Sequence, residues 1–127
     1  MNLLSKIVII ISLIYLTTCD AAPEVHVTVA SVIPADPITV HCYSKDDDLG
    51  THQLAYLQPF SWHFHYSILG DTKFSCKIDT QYGSGEYTVW TDDIMVNRCG
   101  LNCIWQVKST GPCLQQSQGD LWCLPWQ

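Results

Sequence analysis

Phe60-Ser61-Trp62-His63-Phe64-His65-Tyr66-Ser67-Ile68 is the stretch that decides the fold. Phe60, Trp62, Phe64, Tyr66 and Ile68 fall on one side of a two-residue repeat, and Ser61, His63, His65 and Ser67 on the other. Successive side chains of a strand point to opposite faces, so the stretch reads as a strand with one buried and one wet face. That is the habit of antiparallel sheets. Leu69-Gly70-Asp71 then turns the chain.

The same grammar extends in both directions. Residues 25–29 and 38–42 are β-branched and alternating, and residues 73–79 alternate with Phe74, Cys76 and Ile78 inward. Residues 86–90, 103–108 and 121–124 read as further strands. The punctuation is a Pro-broken excursion at 30–37, a loop at 46–52 and a Gly-bearing turn at 81–85. Asp92-Asp93 interrupts before a short apolar piece at 94–96, and Thr110-Gly111-Pro112-Cys113 reads as a turn entering a polar loop at 115–120. No helical period lasts eleven residues. Seven or eight short strands predict an all-β fold, a small disulfide-stabilised antiparallel β-sandwich.

Residues 3–16 are apolar apart from Lys6 and lead into Thr17-Thr18-Cys19-Asp20-Ala21-Ala22. This predicts a secretory signal peptide at 1–21, cut after Ala21 or Ala22, and one domain at 22–127. The apolar run is shorter than the roughly 20 residues of a membrane span, so no membrane insertion of the mature chain is expected. The chain carries 12 acidic and 6 basic residues, a formal charge of −6. Such a surface repels a nucleic-acid backbone and an anionic membrane alike. No nucleic-acid partner is expected.

Of the seven cysteines, Cys19 leaves with the leader. Cys42, Cys76, Cys99, Cys103, Cys113 and Cys123 remain, an even number in a short secreted chain, which predicts three disulfides. Six cysteines allow fifteen pairings. Cys99 and Cys103, four apart, are expected to reach distant strands, and Cys113 and Cys123 to close the excursion between them. The expected map is Cys42–Cys103, Cys76–Cys99 and Cys113–Cys123.

Catalytic and metal chemistry find little footing. Asp46-Asp47-Asp48 lacks the EF-hand spacing for calcium. Paired-carboxylate hydrolysis needs two acids at fixed separation across a cleft. No serine sits in a nucleophile elbow, and the mature cysteines are expected to be oxidised. His63 and His65 share one strand face, yet the spacing supplies no third ligand, so they read as solvent-facing strand residues. No catalytic residue, no metal and no cofactor is expected.

The assembled residues resemble one family, the plant self-incompatibility S1 proteins and their S-protein homologues. Ile38-Thr39-Val40-His41-Cys42-Tyr43-Ser44-Lys45-Asp46-Asp47-Asp48-Leu49-Gly50 is the sharpest match. Phe60-Ser61-Trp62-His63-Phe64, Thr72-Lys73-Phe74-Ser75-Cys76, Cys99 with Cys103-Ile104-Trp105, Gly111-Pro112-Cys113 and Cys123-Leu124-Pro125-Trp126 follow in order. The chain departs from the family's pattern at Glu86-Tyr87-Thr88-Val89-Trp90-Thr91-Asp92-Asp93 and at Val32-Ile33-Pro34-Ala35-Asp36-Pro37.

The resemblance implies a secreted, extracellular, non-enzymatic ligand for a cell-surface protein receptor. The poppy member is a pistil protein that meets a pollen receptor and starts calcium signalling and growth arrest. Pollen–pistil self-incompatibility or another plant cell–cell signal is therefore the expected setting, with a monomer as the working unit. A defence or toxin-like protein acting on a microbial or membrane target is the alternative. The expected recognition loops carry Asp46, Asp47, Asp48, His52, Asp71, Tyr82, Glu86, Asp92, Asp93 and Gln116. Trp126 is expected to pin the end of the domain rather than stand free.

Overall fold

The computed structural model describes residues 3–7, 23–66 and 72–127. Nine strands follow in order: β1 (Glu24–Ser31), β2 (Ile38–Tyr43), β3 (Asp48–Leu54), β4 (Pro59–His65), β5 (Lys73–Thr80), β6 (Gly83–Thr91), β7 (Asn102–Lys108), β8 (Gly111–Gln115) and β9 (Leu121–Cys123). A short helix, Asp92–Arg98, joins β6 to the turn before β7. The strands form a five-stranded sheet, β4-β1-β7-β8-β9, and a four-stranded sheet, β3-β2-β5-β6. All neighbours are antiparallel except β1 and β7. The chain is an all-β sandwich, as its alternation predicts.

The core is the sum of the inward faces. Val25, Val27 and Val29 of β1 and Cys103, Trp105 and Val107 of β7 are buried in one sheet. Ile38, Val40 and Cys42 of β2 and Phe74, Cys76 and Ile78 of β5 are buried in the other. On β4, Phe60, Trp62 and Phe64 pack against this core while Ser61, His63 and His65 are exposed. The opening alternation is thus read correctly through His65; Ser67, Ile68 and the predicted turn with Asp71 lie outside the described residues, as does residue 22 with most of the segment expected as a leader.

Three local readings are corrected. Residues 48–52, part of the loop expected at 46–52, belong instead to β3. It is an edge strand paired on one side only, so it needs few apolar residues and shows no alternation. Residues 111–115, expected as turn and loop, form β8, which lies between β7 and β9. Its Gly-Pro start looks like a turn, but Gly111 is there for room: a β-carbon on it would lie 1.9 Å from the Leu124 carbonyl oxygen. The interruption at Asp92-Asp93 is the first turn of the helix, where two carboxylates oppose the positive end of the helix dipole and Arg98 complements the other end.

Cys42, Cys76, Cys99, Cys103, Cys113 and Cys123 form three disulfides, two of them with partners other than those expected. The bonds are Cys42–Cys76, Cys99–Cys103 and Cys113–Cys123. Only the last matches the expected map; Cys42–Cys103 and Cys76–Cys99 do not form. Cys42 and Cys76 are direct cross-strand partners on β2 and β5, as are Cys113 and Cys123 on β8 and β9. Cys99 and Cys103 are not neighbours on one strand. Cys99 caps the helix and Gly100, at φ +66°, reverses the chain, which brings the two sulfurs together.

Two contacts lock the sheets to each other. A bulge against β5 leaves Val89 without a cross-strand partner, and the buried Trp105 indole of the opposite sheet donates to its carbonyl at 3.0 Å. Residues 124–127 then strap one end of the sandwich. The Leu124 amide donates to the Pro112 carbonyl, the Trp126 indole to the Ser109 carbonyl, and the Tyr87 hydroxyl to the Pro125 carbonyl. The Gln127 side chain accepts from the Glu86 amide and donates to the Glu86 carbonyl, as a neighbouring strand would. Trp126 pins the chain, as expected.

Candidate functional site

The three aspartates that follow β2 do different work. Asp48 accepts a hydrogen bond from the Gly50 amide at 2.9 Å and lies 2.7 Å from His41 Nε2. Those two contacts, the amide first and the imidazole second, hold its carboxyl below the usual carboxylate range. Gly50 sits at φ +82°, a left-handed conformation in which a side chain is strained. The turn is closed by the Ser44 amide donating to the Asp47 carbonyl and by the Asp47 amide donating to the Ser44 hydroxyl. Asp48 therefore shapes the turn, and Asp46 and Asp47 are held on it as exposed carboxylates.

Beside that turn lies a half-open groove of about 780 Å³. Asp46, Asp47 and Lys45 form its rim on one side, and Lys73, Glu86 and Gln127 are among its other polar residues. Aromatic surface comes from Tyr43, Phe64, Phe74 and Tyr87. The elements explain the arrangement. The end of β2, the start of β5 and the middle of β6 are neighbours in one sheet, and the end of β4 comes from the other. Burial raises the Tyr87 phenol above its ordinary range, so the hydroxyl that binds the Pro125 carbonyl stays protonated and donating.

The groove unites three of the expected recognition residues, Asp46, Asp47 and Glu86. Asp48 shapes the turn beside it, Asp71 lies outside the described residues, and the rest are dispersed. His52 lies on β3 rather than in a loop, with Nε2 bonded to the Leu49 carbonyl at 2.8 Å and its ring stacked on Phe60 at 4.0 Å. It closes the seam between two edge strands. Tyr82 stands exposed at the β5–β6 turn. Asp92 and Asp93 belong to the helix. Gln116 is tied to Asp120 and Arg98, which itself stacks 3.9 Å from the Trp122 ring centroid. His65 and Gln127 also line the groove without having been expected there; one sits on a strand and the other at the terminus, and only the fold brings them beside Lys45 and Lys73.

These features define the class: a small β-sandwich, stapled within each sheet and strapped at one end, with a shaped acidic turn at a groove. The family model for plant self-incompatibility protein S1 matches residues 26–126. The chain is 38% identical to S-protein homolog 1 of Arabidopsis thaliana over 91 residues, 69% of this chain and 60% of that relative. It is 32% identical to S-protein homolog 5 of the same plant over 104 residues, 80% of this chain and 77% of that one. The matched span thus reaches less than two thirds of the length of the first relative. A solved structure of SPH (self-incompatibility protein homologue) proteins superposes with a TM-score of 0.63 at 14% identity, covering 84% of this chain and 97% of the other. Those proteins are described as a widespread family of small, highly stable, secreted proteins from plants. The chain belongs to the plant self-incompatibility protein S1 family.

Proposed function

We propose that this chain is a secreted, non-enzymatic signalling ligand that binds a cell-surface receptor of a plant cell. Residues 1–21 serve as its leader and 22–127 as the acting domain. The observation that supports this reading is the acidic turn: Asp48 and Gly50 fix its shape so that Asp46 and Asp47 are presented at the groove rim. A rim ordered before binding lowers the entropic cost of association. An aromatic-walled groove with charges of both signs at its edge suits a protein loop that buries one apolar anchor and pairs its flanking charges. The formal charge of −6 disfavours direct attack on an anionic membrane and favours a receptor surface with basic residues. Pollen–pistil recognition is one setting that fits.

The test is binding of the labelled protein, purified from a secreting host, to plant cells. Saturable binding in the nanomolar to micromolar range is expected, competed by unlabelled protein. The double variant Asp46→Lys with Asp47→Lys should bind at least tenfold more weakly with an unchanged melting temperature. Binding that is unsaturable, or that survives the double change, would sink the receptor reading. Microbial growth inhibition without any plant binding would replace it with the defence reading.

A further inference from the structure

Glu24, His26 and His63 stand together on the exposed face of the five-stranded sheet, remote in role from the acidic turn. The register explains why. β1 and β4 are antiparallel, with His26 directly opposite His63 and Glu24 directly opposite His65. Residues two apart on a strand share a face, and opposite residues bring their β-carbons within about 5 Å. Two strands therefore build a square of one carboxylate and three imidazoles, all four residues exposed. The sequence shows only the i, i+2 pair on β4; the partners come from a strand some forty residues earlier.

The side chains already converge. His26 Nε2 lies 3.2 Å from Glu24 Oε1, and the His26 and His63 rings are 5.7 Å apart between centroids. One ligand atom from each of Glu24, His26 and His63 can be chosen so that all lie within 4.8 Å of one another. Tetrahedral zinc, with bonds of about 2.0–2.1 Å, places its ligand atoms about 3.3 Å apart. The Glu24–His26 distance meets that value, and a small turn of the exposed His63 ring closes the rest.

We propose that Glu24, His26 and His63 form a surface site for a divalent transition-metal cation of the zinc–copper class. Two neutral imidazoles and one carboxylate are borderline donors that select Zn²⁺ or Cu²⁺ over Ca²⁺ and Mg²⁺, which take oxygen ligands. These three ligands leave the fourth tetrahedral position open to water or to a side chain of a bound partner. The site does not depend on the receptor reading, since it lies on a different residue set from Asp46 and Asp47.

The experiment titrates the protein, secreted without a polyhistidine tag, with ZnCl₂, CuSO₄, CaCl₂ and MgCl₂ by isothermal calorimetry and by NMR of the imidazole protons. Zn²⁺ or Cu²⁺ should bind one to one at micromolar concentration, moving the His26 and His63 resonances and leaving His52 in place. His26→Ala and His63→Ala should each weaken binding at least tenfold. Both lie on an exposed face, so their circular dichroism and melting curves should match the parent, and His52→Ala should keep full metal affinity. No saturable Zn²⁺ or Cu²⁺ binding, or binding untouched by the His26 and His63 variants, overturns the site.

Discussion

Two regions that both reach the groove are held by different kinds of contact. In the first, residues 124–127 reach back over long stretches of chain: Tyr87 to Pro125, Gln127 to Glu86, Trp126 to Ser109. In the second, the acidic turn after β2 is made by bonds between residues at most seven apart: Asp48 to His41 and Gly50, Asp47 to Ser44. The difference teaches where the fold can tolerate change. Long-range contacts connect the two sheets, so losing one loosens the whole domain. Local contacts shape a turn, so losing one reshapes a surface and leaves the core alone.

The largest expected effect breaks the strapped end. Gly111 lies against the Leu124 carbonyl so closely that Gly111→Ala forces backbone to move, at a φ of +138° that itself disfavours a side chain. The expected loss is about 3 kcal/mol or more, read as a lower melting temperature and faster hydrogen exchange at the Leu124 amide. A variant that melts with the parent would show that residues 124–127 are not a structural lock.

The disulfides give a middle-sized version of the same contrast. Cys42–Cys76 closes a separation of 34 residues and Cys99–Cys103 one of 4. Loop-closure entropy assigns the long staple roughly 4 kcal/mol and the short one roughly 2 kcal/mol. The double change Cys42→Ala with Cys76→Ala should therefore lower the denaturant midpoint more than Cys99→Ala with Cys103→Ala. Equal losses would mean that the short bond stabilises mainly by holding the helix against β7, not by restricting the unfolded chain.

How much of this could be read in advance follows the same line between local and long-range. The β4 alternation from Phe60 to His65 shows its two faces directly, because a period of two is a property of neighbouring residues. β3 was hidden because only Leu49 and Leu54 of its seven residues are apolar, and β8 because Gly111 and Pro112 speak the language of turns while answering a steric demand from Leu124. Two of the three disulfides were hidden: Cys42–Cys76 because it depends on strand register, and Cys99–Cys103 because it depends on the reversal at Gly100. The site divides likewise. The family mark at residues 38–50 pointed to the acidic turn, but only the structure separates Asp48, which builds the turn, from Asp46 and Asp47, which it presents. It also shows His52 bonded to the Leu49 carbonyl and Gln116 to Asp120 and Arg98, contacts that the sequence does not reveal.

The smallest expected effect sharpens the comparison at the acidic turn. Asp48→Asn keeps an oxygen to accept the Gly50 amide and removes only the charge. The native carboxyl is held below its ordinary range, so the folded state binds its proton less readily than the unfolded chain does. Its stabilising contribution is fully present above the unfolded pKa, about 3.9 for an ordinary aspartate, and is lost as pH falls through the lower folded value. The melting temperature of the parent should therefore exceed that of Asp48→Asn by a few degrees at neutral pH, and the gap should close below about pH 4. Hydrogen exchange should quicken at the Ser44, Asp47 and Gly50 amides alone, with Val27, Val89 and Trp105 unchanged. A gap that persists at low pH would assign the effect to lost shape rather than lost charge, and quickened exchange at Val89 or Trp105 would mean that the turn and the core are one cooperative unit.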